Sequence, residues 1–362
     1  MPGFGTRRDK LRRALSKQGA DGILVTDFKN VTYLTGFTGD DSYLLMSKRQ
    51  QWIISDPRYT TQLEEECPDV ELVIRPPGEG MVAAIDRVAR ADKLKRLAFE
   101  SDALSVTLHG QIAAGLNQTE LIPTEGLVER QRLVKDRDEL ATIRTAVRFA
   151  ERGFDALRAT LRGDQTEKQV AADLEHCLRQ LGAKGCSFPP IVAVGPRAAL
   201  PHAVPTDGHI DEAPFVLVDW GADEGLYKSD LTRVLMTGKV PKKLQRIYNI
   251  VLKAQLKAID AIRPGVRCHD VDRVARSVIS KAGFGPRFGH GLGHGIGLDI
   301  HEGPRLTKQA AQVLKPGMVV TVEPGIYLPG FGGVRIEDDV LVTRDGHEVL
   351  TSTAKEFDAM VI

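Results

Sequence analysis

The sequence predicts two domains of different class, an α/β domain over residues 1–130 and an α+β domain over residues 131–362. Three observations carry this reading. Through the first third of the chain, short apolar runs of strand length alternate with segments of helical period. From Leu127 to Leu161 the pattern changes to long helices, with Leu133, Leu140, Ile143, Val147, Phe149 and Phe154 set among many charges. Beyond them, strands come between and after helix pairs. At 362 residues the chain is long enough for two cores.

Taken in order, residues 7–19 read as a helix, with Leu11 and Leu15 on one face and Gly19 as its stop. Strands are expected at 22–26, 42–46, 51–54, 70–74 and 97–100, and helices at 60–66, 81–91 and 105–116, giving a mixed sheet. In the second domain Gly163-Asp164 breaks the helical run, and Thr166 opens a further helix that ends at Gly182. Pro264-Gly265 separates helices over 241–262 and 269–281. A helix pair followed by a hairpin occurs in each half of this domain, as an old duplication would leave it, although no sequence-level repeat is visible.

The totals exclude several classes. Lys and Arg number 49 against 48 Asp and Glu, a formal charge of +1, so there is no global electrostatic case for nucleic acid or an anionic membrane. The basic runs at 7–13 and 93–96 read as solvated helix faces. Cys67, Cys177, Cys186 and Cys268 are widely spaced and form no C-x-x-C pair, which suggests neither a disulfide framework nor a thiolate metal site. The opening MPGFGTRRDK carries charges without an apolar run after them, unlike a secretory signal. No stretch approaches the roughly twenty apolar residues of a membrane span. The expected location is a reducing cytoplasm.

The stretch FGHGLGHGIGLDIHE, residues 288–302, brings His290, His294 and His301 within twelve positions of a chain with nine histidines. Its five alternating glycines each cost a helix interior roughly 1 kcal/mol relative to Ala. The segment is therefore expected as a tight loop or irregular strand, not the helix that a two-histidine zinc motif needs. A dinucleotide-binding loop would need a preceding strand, a following helix and an acidic residue about twenty positions on.

Two hairpins carry carboxylates. In FVLVDWGADEGLYKSDLTRVLM, residues 215–236, a turn centred on Glu224-Gly225 sets Asp219 opposite Asp230. In MVVTVEPGIYLPGFGGVRIEDDVLV, residues 318–342, a loop centred on Gly330 sets Glu323 opposite Glu337. Directly opposed side chains have Cβ atoms about 4.5 to 5.5 Å apart, and like charges there are destabilising. Two such pairs beside apolar runs need cations or shared protons. Four carboxylates are balanced by two divalent ions. Oxygen-dominated ligation with a single imidazole suits manganese, cobalt or zinc. Two such ions can acidify a bridging water and polarise a carbonyl, which points to hydrolysis of a carbonyl compound.

With these residues in view, VDWGADEGLYKSDLTR, HGLGHGIGLDIHE, TVEPGIY and VRIEDD together resemble the pita-bread metallopeptidases, in the branch of aminopeptidase P and prolidase. GPRAALPHAVPT at 195–206 resembles the same branch, and NVTYLTGFTG at 30–39 resembles the smaller domain shared with creatinase. The resemblance runs in order over nearly the whole chain. It implies a creatinase/prolidase N-terminal domain followed by a pita-bread catalytic domain. By position it implies the metal ligands Asp219, Asp230, His294, Glu323 and Glu337, with Asp230 and Glu337 bridging two divalent ions per chain, Mn2+ before Co2+ or Zn2+. It further implies that Glu323 relays a proton and that His202 and His301 hydrogen-bond the substrate. His290 would line the pocket after the scissile bond, with Tyr327 and Arg335 beside the ligands or in that pocket.

The activity so implied is removal of an N-terminal residue from a following proline in small peptides, by a homodimer. In the family the smaller domain caps the site and can restrict peptide length, so dipeptidases and longer-peptide aminopeptidases share all these motifs. Competing readings are a creatinase-like hydrolase that works without metal and a silent pita-bread module that binds peptide or protein. Methionine aminopeptidase has the same ligands but normally lacks the first domain. All five ligand positions are filled here, which argues against the metal-free and silent readings. His109, His176, His209, His269 and His347 have no motif context and are expected outside the site, and Cys186 is expected as an ordinary buried thiol.

Overall fold

Alternating strands and helices in the first third of the chain build a six-stranded mixed sheet. The computed structural model describes residues 3–362, so the first two residues of the charged amino-terminal stretch lie outside the described residues. The chain divides into two compact units, Met1–Arg132 and Leu133–Ile362.

The first unit contains α1 (Phe4–Ser16), β1 (Gly22–Val25), α2 (Phe28–Thr35), β2 (Tyr43–Ser47), β3 (Gln51–Ser55), α3 (Thr60–Glu66), β4 (Glu71–Ile74), α4 (Met81–Ala91), β5 (Arg96–Glu100), α5 (Val106–Gly115), β6 (Glu120–Thr124) and α6 (Glu129–Arg132). Its sheet runs β4-β3-β2-β1-β5-β6, antiparallel across β1, β2 and β3 and parallel elsewhere. The apolar stripe of α4, Ala84, Ile85, Val88 and Ala89, shares a core with Leu24, Leu45, Ile54 and Leu97 of the strands. The sequence reading placed no element at α2 or β6. The Asp27 side chain caps α2 by accepting from the Asn30 amide, and Gly36 ends it at φ +87°. Pro123 sits in β6, an edge strand that tolerates the missing N–H.

The second unit opens with α7 (Arg137–Thr160) and α8 (Glu167–Gln180), followed by β7 (Gly185–Cys186), β8 (Ile191–Val194), β9 (Phe215–Trp220), β10 (Ala222–Glu224), β11 (Tyr227–Lys228) and β12 (Leu231–Met236). Then come α9 (Lys242–Asp260), α10 (Cys268–Lys281), β13 (Gly293–Gly295), β14 (Glu302–Leu306), β15 (Val319–Val322), β16 (Gly325–Leu328), β17 (Gly332–Arg335), β18 (Asp338–Val342) and β19 (His347–Val349). Each half is a helix pair followed by hairpins. The long helical run expected from Leu127 is interrupted between α6 and α7, because Asp136 and Glu139 form a capping box that starts α7 afresh. Thr166 and Gln169 do the same for α8.

Strand pairing in this unit is antiparallel, in sheets ordered β12-β9-β8, β14-β13-β15-β18-β19, β11-β10-β7 and β16-β17. Trp220 anchors the first hairpin to α7, stacking on Phe154 with ring centroids 4.2 Å apart and donating its indole N–H to the Ala150 carbonyl at 2.9 Å.

The register of the first hairpin corrects the sequence reading. Asp219 pairs with Thr232, not with Asp230, because the turn is centred on Gly225-Leu226, one residue further on. Both turn residues have positive φ, +52° and +71°, the signature of a tight type I′ connection. The two aspartates are therefore diagonal neighbours instead of opposed ones. In the second hairpin Val322 pairs with Asp338 and Gly325 with Arg335, so the register on both sides of Glu323 and Glu337 is the expected one. Those two glutamates sit where the ladder is interrupted. There the Glu337 amide donates to the Thr232 carbonyl at 3.2 Å, joining the second hairpin to the first.

Candidate metal centre

His294 is the middle residue of β13, which lies between β14 and β15. The histidine stretch is thus partly an irregular strand, with a register shift after His294. A β-carbon on Gly293 would meet the Thr321 carbonyl oxygen at 2.1 Å, and one on Gly295 the Gly303 carbonyl oxygen at 1.9 Å. These glycines let β13 approach its flanking strands, and no side chain fits at either position.

The tautomer of His294 follows from its partners. Its Nδ1 lies 3.2 Å from the Gly295 carbonyl, which can only accept, so Nδ1 carries the proton and Nε2 has a bare lone pair. That Nε2 faces Glu323 Oε1 at 3.4 Å and Asp230 Oδ2 at 3.6 Å. Potential ligand atoms of Asp230, His294 and Glu337, all buried, lie within 4.8 Å of one another. A lone pair pointing at carboxylates in a dry site is repulsive unless a cation or a proton lies between them. One oxygen of buried Asp219, Oδ1, has no hydrogen-bond partner among the described residues. An oxygen-rich set with one imidazole and an orphaned carboxylate oxygen fits hard or borderline divalent ions.

The electrostatics agree. Burial, then the charges of Glu337 and Asp219, hold the Asp230 carboxyl well above the usual carboxylate range. Burial followed by Glu323 and Asp219 does the same to Glu337, and burial pushes Glu323 up to about 8. Burial first, and then the nearby His301, lowers His294 to about 3. Burial and mutual repulsion thus oppose charge on Asp230, Glu323 and Glu337, and burial opposes it on His294.

One buried guanidinium ties the two hairpins together. Arg335 donates to Asp219 Oδ2, to the Thr232 hydroxyl at 3.0 Å and to the Tyr327 hydroxyl at 2.9 Å. Thr232 in turn donates to Glu337 Oε2 at 2.6 Å. Because the Tyr327 oxygen accepts from Arg335, its proton goes to His290 Nε2 at 2.9 Å, while His290 Nδ1 donates to the Gly291 carbonyl at 2.7 Å. Burial, then the Arg335 charge, lowers His290 to about 4. Both its nitrogens are used, so His290 presents a neutral ring.

Behind these residues Arg233 is fully buried, and all five of its N–H groups are used. They reach Asp338 Oδ1, the carbonyls of Thr232 and Glu337, and those of Thr353 and Ala354. The Asp230 amide is held by Asp339 Oδ2 at 3.0 Å.

A cleft of about 520 Å3 opens over these groups. His202, His290, His301 and Arg335 line it together with Asp219, Asp230, His294, Glu323 and Glu337, while Tyr327 stands behind His290. The rings of His294 and His301 are edge to face, centroids 4.4 Å apart. His301 and His202 are exposed, and His109, His176, His209, His269 and His347 lie outside the cleft. Its walls are apolar, with Phe188, Pro189, Pro201, Val204 and Ile300 among them. Arg305, on β14, also lines it and was not singled out from the sequence. It stands four residues after His301, and nothing in its local sequence separates it from a surface arginine.

Residues 141–344 match the model of metallopeptidase family M24, and residues 7–134 that of the creatinase/prolidase N-terminal domain. The chain belongs to metallopeptidase family M24. The M24 match covers every proposed ligand position. Over 348 residues the chain is 36% identical to the Bacillus subtilis protein named uncharacterized peptidase YqhT, covering 96% of this chain and 98% of that one. Among solved structures it resembles an Xaa-Pro dipeptidase from Bacillus anthracis, at 38% identity and a TM-score of 0.95 over 99% of this chain and 100% of that one. An X-Pro aminopeptidase from Thermotoga maritima matches at 35% identity and a TM-score of 0.90, over 97% and 100%. The prolidase from Pyrococcus horikoshii does so at 32% and 0.90, over 97% and 99%. The M24 chain thus combines a creatinase-type first domain with a pita-bread metallopeptidase domain.

Proposed function

We propose that this M24 protein is a dinuclear Xaa-Pro peptidase that cleaves the bond between an N-terminal residue and a following proline. The observation that carries the metal reading is the bare Nε2 of His294 facing Asp230 and Glu323 inside the cleft. Asp219, Asp230, His294, Glu323 and Glu337 would hold two divalent ions. Manganese is the expected metal, with cobalt or zinc as substitutes. When bound, the ions supply Lewis acidity toward the scissile carbonyl and bring water ionisation toward neutral pH.

This chain's residues do the rest. Glu323, oriented by the Thr321 hydroxyl at 3.4 Å, takes the proton of the attacking water. As the water oxygen joins the carbonyl carbon and the C–N bond breaks, that proton passes to the prolyl nitrogen. His301 and His202, on the open side of the cleft, donate to the carbonyl oxygen as it gains charge. The neutral ring of His290 walls the space for the proline, with Tyr327 and Arg335 holding it in that state. A bond to proline has no amide N–H, so a pocket offering ring faces loses nothing by failing to accept one. The relatives' names, Xaa-Pro dipeptidase and X-Pro aminopeptidase, support the proline specificity. The same reading carries a homodimer working in the cytoplasm.

The test is turnover of an Xaa-Pro dipeptide and an Xaa-Pro-Yaa tripeptide by manganese-loaded protein, with metal per chain measured by elemental analysis. Two ions per chain and loss of activity on chelation are expected. Turnover that survives chelation and dialysis would favour a creatinase-like reaction. No turnover on either peptide at full metal occupancy would leave a silent binding module.

A further inference from the structure

We infer that Glu167, which lies outside the cleft, is the positioning residue for His202; the inference rests on the reading of His202 as a substrate contact. Glu167 is the first residue of α8 and its side chain is wholly buried. A buried carboxylate is retained only where it is fully paired. One oxygen accepts from the Val194 amide at 2.8 Å, and the other from the Thr206 amide at 2.8 Å and the Thr206 hydroxyl at 2.7 Å. The Arg197 Nε–H lies 3.0 Å from both oxygens and supplies the counter-charge. A single carboxylate therefore clamps the two ends of the segment 195–205, and His202 stands inside that segment.

The rest of the segment explains why the clamp matters. Its first residues rest on β17, where a β-carbon at Gly333 would meet the Ala198 carbonyl oxygen at 2.1 Å. The tip is held differently. Leu200 and Val204 are 52% and 76% exposed, so Ala203 is the one apolar side chain that buries the tip. Arg197 reaches across the segment to the Val204 carbonyl at 2.6 Å while it is itself held by Glu167. The His202 ring has no hydrogen-bond partner among the described residues, so no side-chain hydrogen bond holds it over the cleft and the path of its backbone carries it there. Glu167 fixes that backbone on both sides, and a displacement of about 1 Å is enough to cost a reaction roughly 10²-fold.

A double-mutant cycle on the manganese-loaded full chain tests this, with kcat and KM measured on an Xaa-Pro dipeptide for Glu167→Gln, His202→Ala and the pair. Metal content and Tm are recorded for each. Glu167→Gln keeps the shape but puts an amide N–H against donors. It should lower kcat/KM roughly 10-fold in the wild-type background, less than about 2-fold in the His202→Ala background, and leave metal content unchanged. Hydrogen exchange at 195–206 should quicken. Wild-type kcat/KM in folded, metal-loaded Glu167→Gln, or losses that multiply in the pair, overturns the proposal. If His202→Ala alone leaves turnover unchanged, the substrate role of His202 fails and the proposal with it, an outcome distinct from failure of Glu167 alone. Should Glu167→Gln not fold, Thr206→Val removes a single bond of the clamp and enters the same cycle with the same expectations.

Discussion

His294 and His301 lie edge to face, yet their surroundings differ. His294 is buried, its Nδ1–H is held by the Gly295 carbonyl, and its free Nε2 faces carboxylates. His301 is exposed on the cleft side. His294→Ala should lower metal per chain, seen by elemental analysis after dialysis. His301→Ala should keep the metal and lose kcat by roughly 10²-fold; equal metal loss in both would reverse this division. The sequence made the ligand types legible because each carboxylate pair lies within one hairpin, where register can be counted from the turn. The count slipped for Asp219 and Asp230 because the turn places Leu226 at φ +71°, a conformation that glycine or asparagine would have signalled. Arg233 was not legible at all, since most of its partners lie about a hundred residues or more away in sequence.

At the scale of the element, β13 shows what alternating glycines are for. Gly293 and Gly295 are required by carbonyl oxygens of the neighbouring chain segments, whereas a β-carbon on Gly289 would meet nothing within 4 Å. Gly295→Ala should therefore cost about 3 kcal/mol or more by displacing β13 from its neighbours, and reduce metal binding with it. Gly289→Ala should stay within about 0.5 kcal/mol. Urea denaturation and metal titration of the two variants check this, and equal effects would count against the close-approach argument. Helix boundaries were legible where caps are local, as with Thr166 and Gln169. The break before α7 was missed although Asp136 and Glu139 carried the same capping signal. The strand β6 was missed because its proline reads as a strand breaker until the strand is known to lie at an edge.

For the whole molecule, two buried charge sites make stability depend on solution conditions. The candidate metal centre gathers carboxylates that repel one another, so a divalent cation present at 100 times its Kd should stabilise the chain by about 2.7 kcal/mol and raise Tm by several degrees. Asp230→Asn should raise the metal-free Tm and abolish that rise. In the first unit, burial pushes Glu100 up to about 7 from an ordinary 4.5, despite donated bonds from the amides of Asp27 and Thr26 and from the Asn30 side chain. Between those values the folded chain keeps a proton that the unfolded chain has released. The contribution is full below about pH 4.5 and is lost as pH rises through 7, amounting to roughly 3 kcal/mol at most. Comparing urea midpoints of wild type and Glu100→Gln from pH 5 to pH 8 isolates this group: the difference between them should change with pH, and parallel curves would exclude it.

The clamp formed by Glu167 has an engineering consequence. Because both ends of residues 195–205 converge on one carboxylate, this segment is a natural cassette. With Arg197 and His202 kept, the exposed positions Leu200 and Val204 can be varied while the five proposed ligand positions, all outside the segment, keep their places. Libraries built there would vary the face that meets the incoming peptide and leave the metal chemistry as a constant background.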